Sequence, residues 1–532
     1  MPAKAFSHFR SGGALYLQEL LMNIIPKPAM QNFGEGFLEI KGLPGIEGDS
    51  CFSQEIQTFR EDLEADYKLK FASSGNGAAA LVCKKEDGMA EEAYRLEIGK
   101  EGIKAAATAG AGLWHGLQTL RQLLLSGIGG GNAGCITGEN NDKDTLFRIP
   151  LGKIEDYPRF PWRGLMLDCS RYFYSVGFIK KLLSSLSLHH INIFHWHLTD
   201  DQGWRFPVEG YPLLTEIGSR RRDHRLHDKF TGGYYTEADI REIVEFAAAR
   251  HIEVVPEVDL PGHTSAVLAA YPGLGCTGGP YRVEDRFGIF EDALCAGNDA
   301  IFDLAAKVFD ALAKFFPSKY VHIGGDEVLF NRWAECPKCQ KRLTETGLKT
   351  PRELQSWVTV KYAGMLAERG KTGIGWDEVL EDTEQYKLPK EVIVMSWRGK
   401  KGGLQASRLG HRVIMAPNTE GCYLDYRHND EPEELGRLNL SRLSAIYYMD
   451  PVSSEMSAEE AALILGGQGN LWSEVIYSGK IAEYMIFPRI CGLAEGLWSP
   501  RETKDPDDFA RRLPVHQARL DRLGLLQYRG SF

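Results

Sequence analysis

Residues 322–328 read HIGGDEV, two glycines followed by the adjacent carboxylates Asp326 and Glu327. Successive side chains on a strand point to opposite faces, so a buried strand avoids two charges in a row. The pair therefore marks a place where a strand ends and chemistry begins. Two carboxyl groups in different surroundings can divide proton transfer and charge stabilisation between them. Groups of the same kind recur along the chain: Asp168 and Arg171, then His197, Asp200 and Asp201, then Glu257 and Asp259 followed by His263, then Trp376 and Asp377, Trp397, and Trp472 with Glu474. Flat tryptophan faces suit the C–H face of a pyranose, and Asp, Glu and Arg suit its hydroxyls, so the set reads as a sugar site. A lone acid at a strand end is more often a helix cap or a loop brace, the reading expected for Asp377. His195 reads as a hydrogen-bonded core or rim histidine, whereas His263, in DLPGHT just beyond a turn, is the better functional candidate. A divalent metal is the rival use for so many acids, but the tryptophans would then have no role beside the ion.

These groups close short, almost continuously apolar runs at 164–171, 191–200, 251–260, 320–328, 372–379, 392–399, 412–418 and 464–474. Runs of this kind, alternating with amphipathic helices such as FIKKLLSSLSLH and TEADIREIVEFAAARH, are how buried parallel strands and their crossovers read. In the second helix Thr236 is expected to cap the start, with Asp239 at the third helical position. Eight repeats predict an α/β fold, a closed (β/α)₈ TIM barrel, with the reactive groups at the carboxyl ends of its strands. A doubly wound open sheet fits less well, because the first strand–helix turn has no GxGxxG phosphate loop. The barrel segment is longer than the usual ~250 residues, which places insertions at 205–235 and 423–463. Ahead of it, YRLEIGKEGIKAAA (94–107) reads as a hairpin turning at Gly99–Gly102, and Leu113, Leu117, Leu120 and Leu124 lie at helical spacing. That is a small α+β domain, followed by an exposed glycine-rich loop at 127–144. The expected boundaries are an extension at 1–23, the small domain at 24–155, the barrel at 156–500 and a helical segment at 501–532 packing on the barrel.

Composition narrows the function further. With 43% hydrophobic and 25% charged residues and a net charge of −10, the chain has no basic patch for nucleic acid and no apolar run long enough to span a membrane. Residues 11–25 are the only leader candidate, but Gln18 and Glu19 interrupt the run and no cleavage site follows, so a cytoplasmic protein is expected. Ten dispersed cysteines suit a reducing compartment. Cys336 and Cys339, in CPKC, lack a second CxxC or a histidine pair and are read as free surface thiols, not a zinc site.

Taken in order, RGLMLDCSR, INIFHWHLTDDQGW, VVPEVDLPGHT, VHIGGDEV, GWDEV, the Trp397 strand, CYLDY, GNLWSE and YMIFPRICGLAEGLWSP resemble the successive barrel motifs of glycoside hydrolase family 20, the β-N-acetylhexosaminidases. GLWHGLQTLRQLL is similar to the helix of the small domain preceding those barrels. The resemblance runs from about Ile24 to the end. It implies an exo-acting, retaining enzyme for terminal β-linked GlcNAc or GalNAc, needing no cofactor and no metal, acting as a monomer or homodimer on carbohydrate. It also implies that Glu327 is the general acid/base, with a raised pKa, and that Asp326 orients the substrate's own 2-acetamido group, the nucleophile of this exception to the two-carboxylate scheme. By the same resemblance, Tyr423 holds the acetamido oxygen, Trp376, Trp397 and Trp472 enclose the sugar, Arg171, Asp425 and Glu474 bind hydroxyls, and Asp200 with His263 supports Glu327. Residues 219–235 do not align with the family pattern, so subsites beyond the first sugar are open. Two other readings remain: a barrel glycosidase using Glu257 or Glu474 as its own nucleophile, and a non-catalytic carbohydrate-binding barrel, whose mark would be loss of Asp326, Glu327 or Tyr423.

Overall fold

The computed structural model describes residues 23–68, 80–126, 146–223, 229–381, 386–530 and 532. The leader candidate up to residue 22 and the loop at 127–144 lie outside the described residues. The small domain is one six-stranded sheet of β1 (Met30–Lys41), β2 (Ile46–Gly48), β3 (Leu81–Lys85), β4 (Tyr94–Gly99), β5 (Gly102–Ala107) and β6 (Leu146–Asp156), in the order β1-β6-β4-β5-β3-β2. The expected hairpin is β4–β5, with Gly99 opposite Gly102.

Two helices, α1 (Ser53–Tyr67) and α2 (Gly110–Ser126), pack with this sheet. Every residue of α2 from Gly112 to Leu125 is buried, including His115, Gln118, Thr119, Arg121 and Gln122. A surface helix would expose one face; this one is covered on both, by the sheet and by the barrel. Several of its polar side chains are hydrogen-bonded across that junction. Trp114 Nε1–H donates to Ser187 Oγ at 2.7 Å, and Gln122 Nε2–H to the Leu188 carbonyl at 3.0 Å. The Arg121 guanidinium donates to Asp66 at 2.6 Å and to Asp62 at 3.1 Å, while Asp62 also accepts from Arg250 of the barrel at 2.7 Å.

All eight predicted runs are strands of one closed parallel barrel: β7 (Trp162–Asp168), β8 (Ile193–His197), β9 (Glu253–Glu257), β10 (Tyr320–His322), β11 (Thr372–Trp376), β12 (Ile393–Ser396), β13 (Val413–Met415) and β14 (Ile464–Leu471). Closure is the pairing of β14 with β7, six residues in register from Gly466↔Trp162 to Leu471↔Leu167. Side chains including Met166, Val255, Ile374, Ile393, Met395 and Ile414 fill the interior, so the barrel is a packed core. The helices behind the strands include α3 (Val176–Ser187), α4 (Glu237–Ala248), α5 (Ala300–Phe315), α6 (Pro351–Ala367) and α7 (Lys400–Arg408). The reciprocal Thr236–Asp239 capping box opens α4 as expected.

Both expected insertions contain regular structure among the described residues. One carries the hairpin Arg220–Asp223 against Lys229–Gly232, the other pairs Tyr426–Arg427 with Arg437–Leu440. A third, from 265 to 299 between β9 and α5, was not singled out from sequence, because its regular structure is only a short helix, Ser265–Ala270, and one 3₁₀ turn. After α8 (Arg489–Trp498), α9 (Pro506–Arg522) packs more widely than on the barrel alone: Arg512 pairs with Glu495 at 2.6 Å, and Arg519 reaches Ser126 at the end of α2, also at 2.6 Å. Among the described residues no helix is long and apolar enough to cross a membrane.

Removing Arg121 would take the cation from Asp66 and leave Asp62 with Arg250 alone at the domain junction, and breaking a buried pair costs about 3–5 kcal/mol. Arg121→Ala is therefore expected to lower the thermal midpoint by several degrees, whereas Lys153→Ala, which breaks an exposed pair with Glu97, should leave it nearly unmoved. Equal midpoints for the two variants would contradict a load-sharing junction.

Candidate active site

The glycines of HIGGDEV end β10 at the barrel rim. Gly324 and Gly325 have φ of +65° and +92°, and a Cβ on Gly324 would lie 1.8 Å from Asp259 Oδ1. The Asp259 carboxylate thus occupies the space a side chain would need, and it accepts the Gly325 N–H at 3.1 Å. Glu327 itself is left-handed at φ +51°, as is His263 at +48°. For non-glycine residues such backbone costs about 1–3 kcal/mol each and clusters at functional sites.

Asp326 and Glu327 emerge into opposite environments. Asp326 is buried, and its Oδ1 accepts no hydrogen bond from the described residues. Burial, together with the negative charges of Asp259, Glu327 and Glu257, pushes its carboxyl well above the ordinary range. Glu327 keeps a side-chain exposure of 32%. Burial pushes it up as well, but the hydrogen bond and positive charge of His263 outweigh that and hold it below its ordinary value. The expectation of a raised Glu327 is thereby corrected: of the two, it is Asp326 whose carboxyl is pushed up, because the cation stands against Glu327. His263 Nε2 is 3.4 Å from Glu327 Oε2 and 3.9 Å from Asp326 Oδ2.

His263 stays cationic although burial opposes it, because Asp200, Asp201 and Glu327 surround it. Its Nδ1–H donates to Asp201 Oδ2 at 2.9 Å, while Asp200 Oδ1 lies at 3.4 Å. The closer support therefore comes from Asp201, itself fixed by the N–H and hydroxyl of Ser265 at 2.9 and 2.6 Å. Asp200 instead joins Arg171 at 2.8 Å to His197 at 2.9 Å. Burial raises its pKa, but those partners together with His263 hold it below the usual range.

Beneath the rim, Glu257 is completely buried. His197 Nδ1–H donates to its Oε2 at 2.6 Å and Trp376 Nε1–H to its Oε1 at 3.0 Å, with His195 and His322 each 2.9 Å away. Burial pushes Glu257 up, yet the histidines around it, His197 the most firmly charged among them, hold it far below the ordinary range. His195 is the buried core histidine expected.

Trp376, Trp472, Tyr423 and Tyr426 form one aromatic cluster, with Trp397 packed against it. Trp397 stacks on Tyr423 at 14° with ring centres 6.0 Å apart, and Trp376 and Trp472 lie 5.8 Å apart. Arg171 lies over the Trp472 ring at 5.0 Å. Arg437 joins the predicted hydroxyl binders, pairing with Asp425 and, at 3.0 Å, with Glu474.

Asp377 braces the Trp397 loop, accepting from the Trp397 and Arg398 N–H groups and from the Arg398 guanidinium at 2.7 Å. Glu378, passed over in the sequence, accepts the Trp397 indole N–H at 2.9 Å. Burial and the Asp326 charge raise its carboxyl to about 9. Its only sequence signal was adjacency to Asp377 in GWDEV. Arg437 had none, since it lies in an insertion.

Asp259, His263 and Asp326 stand close enough to hold a cation, as do Asp200, Asp201 and His263. The CPKC pair departs from expectation: Cys336 and Cys339 are buried, and they meet Cys276 and Cys295.

Comparison with known proteins agrees with this geometry. Residues 160–501 match the model of the glycosyl hydrolase family 20 catalytic domain, and residues 21–157 match that of the family's domain 2. The chain is 39% identical to a beta-hexosaminidase of Porphyromonas gingivalis over 95% of its length, spanning 64% of that relative. It is 34% identical to a beta-hexosaminidase of Akkermansia muciniphila, covering 80% of this chain and 83% of that protein. Among solved structures, a GH20 exo beta-N-acetylglucosaminidase from Vibrio harveyi in complex with N-acetylglucosamine superposes with a TM-score of 0.85 at 29% identity, covering 96% of this chain and 78% of that one. The Streptomyces plicatus N-acetyl-beta-hexosaminidase in complex with Thio-NAglucal superposes with a TM-score of 0.81 at 29% identity, covering 96% and 97%.

The raised pKa of Asp326 has a stability consequence. Between its unfolded value, about 3.9, and its higher folded value, the folded state binds the extra proton, so this group lowers stability as pH rises through that window. Asp326→Asn is therefore expected to raise the thermal midpoint at pH 7 and to lose that advantage as pH falls below about 4. A variant less stable than the parent at neutral pH would show that the Asp326 carboxyl is not pushed above its ordinary range.

Proposed function

The chain belongs to glycosyl hydrolase family 20, and from that premise we propose that it is a retaining exo-β-N-acetylhexosaminidase, removing terminal β-linked GlcNAc or GalNAc by substrate-assisted catalysis. The observation that carries the proposal is the adjacent pair Asp326 and Glu327 at the rim, with His263 Nε2 3.4 Å from Glu327, in a barrel whose aromatic cluster joins Trp376, Trp472 and Tyr423 with Trp397 packed against it.

In the proposed reaction the acetamido carbonyl oxygen attacks C1 and the glycosidic C–O bond breaks as Glu327 gives its proton to the leaving oxygen. Asp326 accepts the amide N–H and stabilises the positive charge of the oxazolinium ion. Water then attacks C1, Glu327 takes its proton, and the ring opens with configuration retained. Tyr423 would hold the acetamido oxygen. Arg171 and the Asp425–Arg437–Glu474 group would bind ring hydroxyls.

The directions at the two carboxyl groups bear on this scheme: burial and neighbouring negative charge push Asp326 up, while His263 holds Glu327 down, and the reaction needs the proton on Glu327. An amide N–H donated to Asp326 favours its charged form, and a sugar covering Glu327 removes water from its exposed face and favours its neutral form. Substrate binding would thus set the acid and the base within the pair. Against an enzyme nucleophile, Glu257 is engaged by His197 and Trp376 below the pocket, and Glu474 faces Arg437. The unpaired cysteines favour a reducing compartment.

The deciding measurement compares an aryl β-N-acetylglucosaminide with the matching aryl β-glucoside, which lacks the acetamido group. The glucoside should be hydrolysed at least about 10³-fold more slowly, the scale of a lost transition-state interaction; comparable rates would sink substrate assistance. Asp326→Asn should slow even substrates with good leaving groups by about 10²-fold or more. Glu327→Gln should be slowed most on poor leaving groups.

A further inference from the structure

Four cysteines widely spaced in the chain converge outside the catalytic pocket. Cys276 and Cys295 lie in the insertion after β9, Cys336 immediately before the helix Pro337–Thr346, and Cys339 in its first turn. Their ligating atoms all lie within 4.8 Å of one another. The sulfur separations are 3.6 Å for Cys295–Cys339, 3.7 Å for Cys295–Cys336 and 3.9 Å for Cys276–Cys339. A disulfide would need about 2.05 Å. A tetrahedron with metal–sulfur bonds of about 2.3 Å has edges of about 3.8 Å, so the observed spacing is that of four thiolates around one zinc ion.

The surrounding backbone is built to hold that spacing. Gly275 and Leu294 form an antiparallel bridge that sets Cys276 beside Cys295, and Cys295 N–H donates to the Leu274 carbonyl at 2.8 Å. Gly297 lets the second loop lie directly on the first turn of the helix, since a Cβ there would fall 2.2 Å from the Lys338 carbonyl carbon. Trp333 Nε1–H donates to the Leu294 carbonyl at 3.0 Å, and Arg332 pairs with Asp292 at 2.8 Å. These contacts join two segments that belong to different strands of the barrel.

We propose that Cys276, Cys295, Cys336 and Cys339 bind one structural Zn²⁺ that clips the β9 loop to the β10 loop. The β9 loop carries His263 and the β10 loop carries Asp326 and Glu327, so the clip would fix the relative position of the cation and the pair it polarises. Four thiolates fill a tetrahedral shell and leave no position for substrate or water, which makes the site structural.

Elemental analysis of the purified chain, expressed in zinc-supplemented medium and dialysed, is expected to find about one zinc per chain, released in full when a mercurial blocks the thiols. Cys336→Ser/Cys339→Ser should lower zinc content at least tenfold, while Cys51→Ser, at an exposed cysteine, should keep it. If the double variant does not fold, cobalt loaded into the wild-type protein must give the intense visible bands of a tetrahedral thiolate site. Removing the zinc should also lower the thermal midpoint, since a ligand bound only by the folded state stabilises it. Wild-type protein with less than about a tenth of a zinc per chain, iron in its place, or peptide mapping that finds these cysteines in disulfides would each overturn the assignment.

Discussion

A fully buried carboxylate, Glu257, is the constraint on which the rest of the rim depends. An isolated charge at that depth would be prohibitive, and an unpaired one would simply take up a proton. It stays ionised because β8, β10 and β11 deliver His195, His197, His322 and Trp376 around it. That arrangement propagates upward. His197 is charged by its contact with Glu257, its other nitrogen binds Asp200, and Asp200 in turn anchors Arg171 and stands beside the cationic His263. The charge that holds Glu327 down is the last member of this chain, not a local accident of the HIGGDEV loop.

The loop supplies geometry where the chain supplies charge. If β10 had continued past His322, alternation would have sent one of the two carboxylates into the packed interior. Positive φ at Gly324 and Gly325 breaks the alternation, and the Asp259 carboxylate, filling the space above Gly324, fixes where the break occurs. Asp259 has a second effect: burial lifts its carboxyl to about 7, and its charge is the first of those that raise Asp326 beyond burial itself. The group that shapes the turn thus also helps set which member of the pair is pushed up.

How much of this was legible depended on whether the informative residues were close in sequence. The eight strands could be read because buried parallel strands are continuous apolar runs, and Asp326 and Glu327 because two charges after two glycines violate strand alternation. The strand-end pattern pointed to Asp259, His197 and Trp376, but which groups they meet is set only by closure of the barrel, and Arg437, in an insertion, had no local pattern at all. The pKa order failed for the same reason. Two causes of a raised Glu327, aromatic neighbours and an adjacent carboxylate, were visible in the sequence. The His263 cation that outweighs them comes from the preceding strand and is held charged by acids from the strand before that.

The cysteines make the same point from the opposite side. CPKC alone is a weak signal, because a metal shell needs four ligands and the second pair is neither a CxxC nor contiguous. Cys276 and Cys295 are joined by a backbone bridge rather than by sequence spacing, in an insertion with too little regular structure to be recognised. Long irregular loops are costly to order, yet a site held on such loops must keep its groups within about half an ångström to function. The β9 and β10 loops carry His263, Asp326 and Glu327, and His263 Nε2 lies 3.4 Å from Glu327 and 3.9 Å from Asp326, so its charge bears on both and most closely on Glu327. A clip between these two loops stands where positional error would matter most, because it constrains the one separation on which the division of labour between the two carboxylates rests.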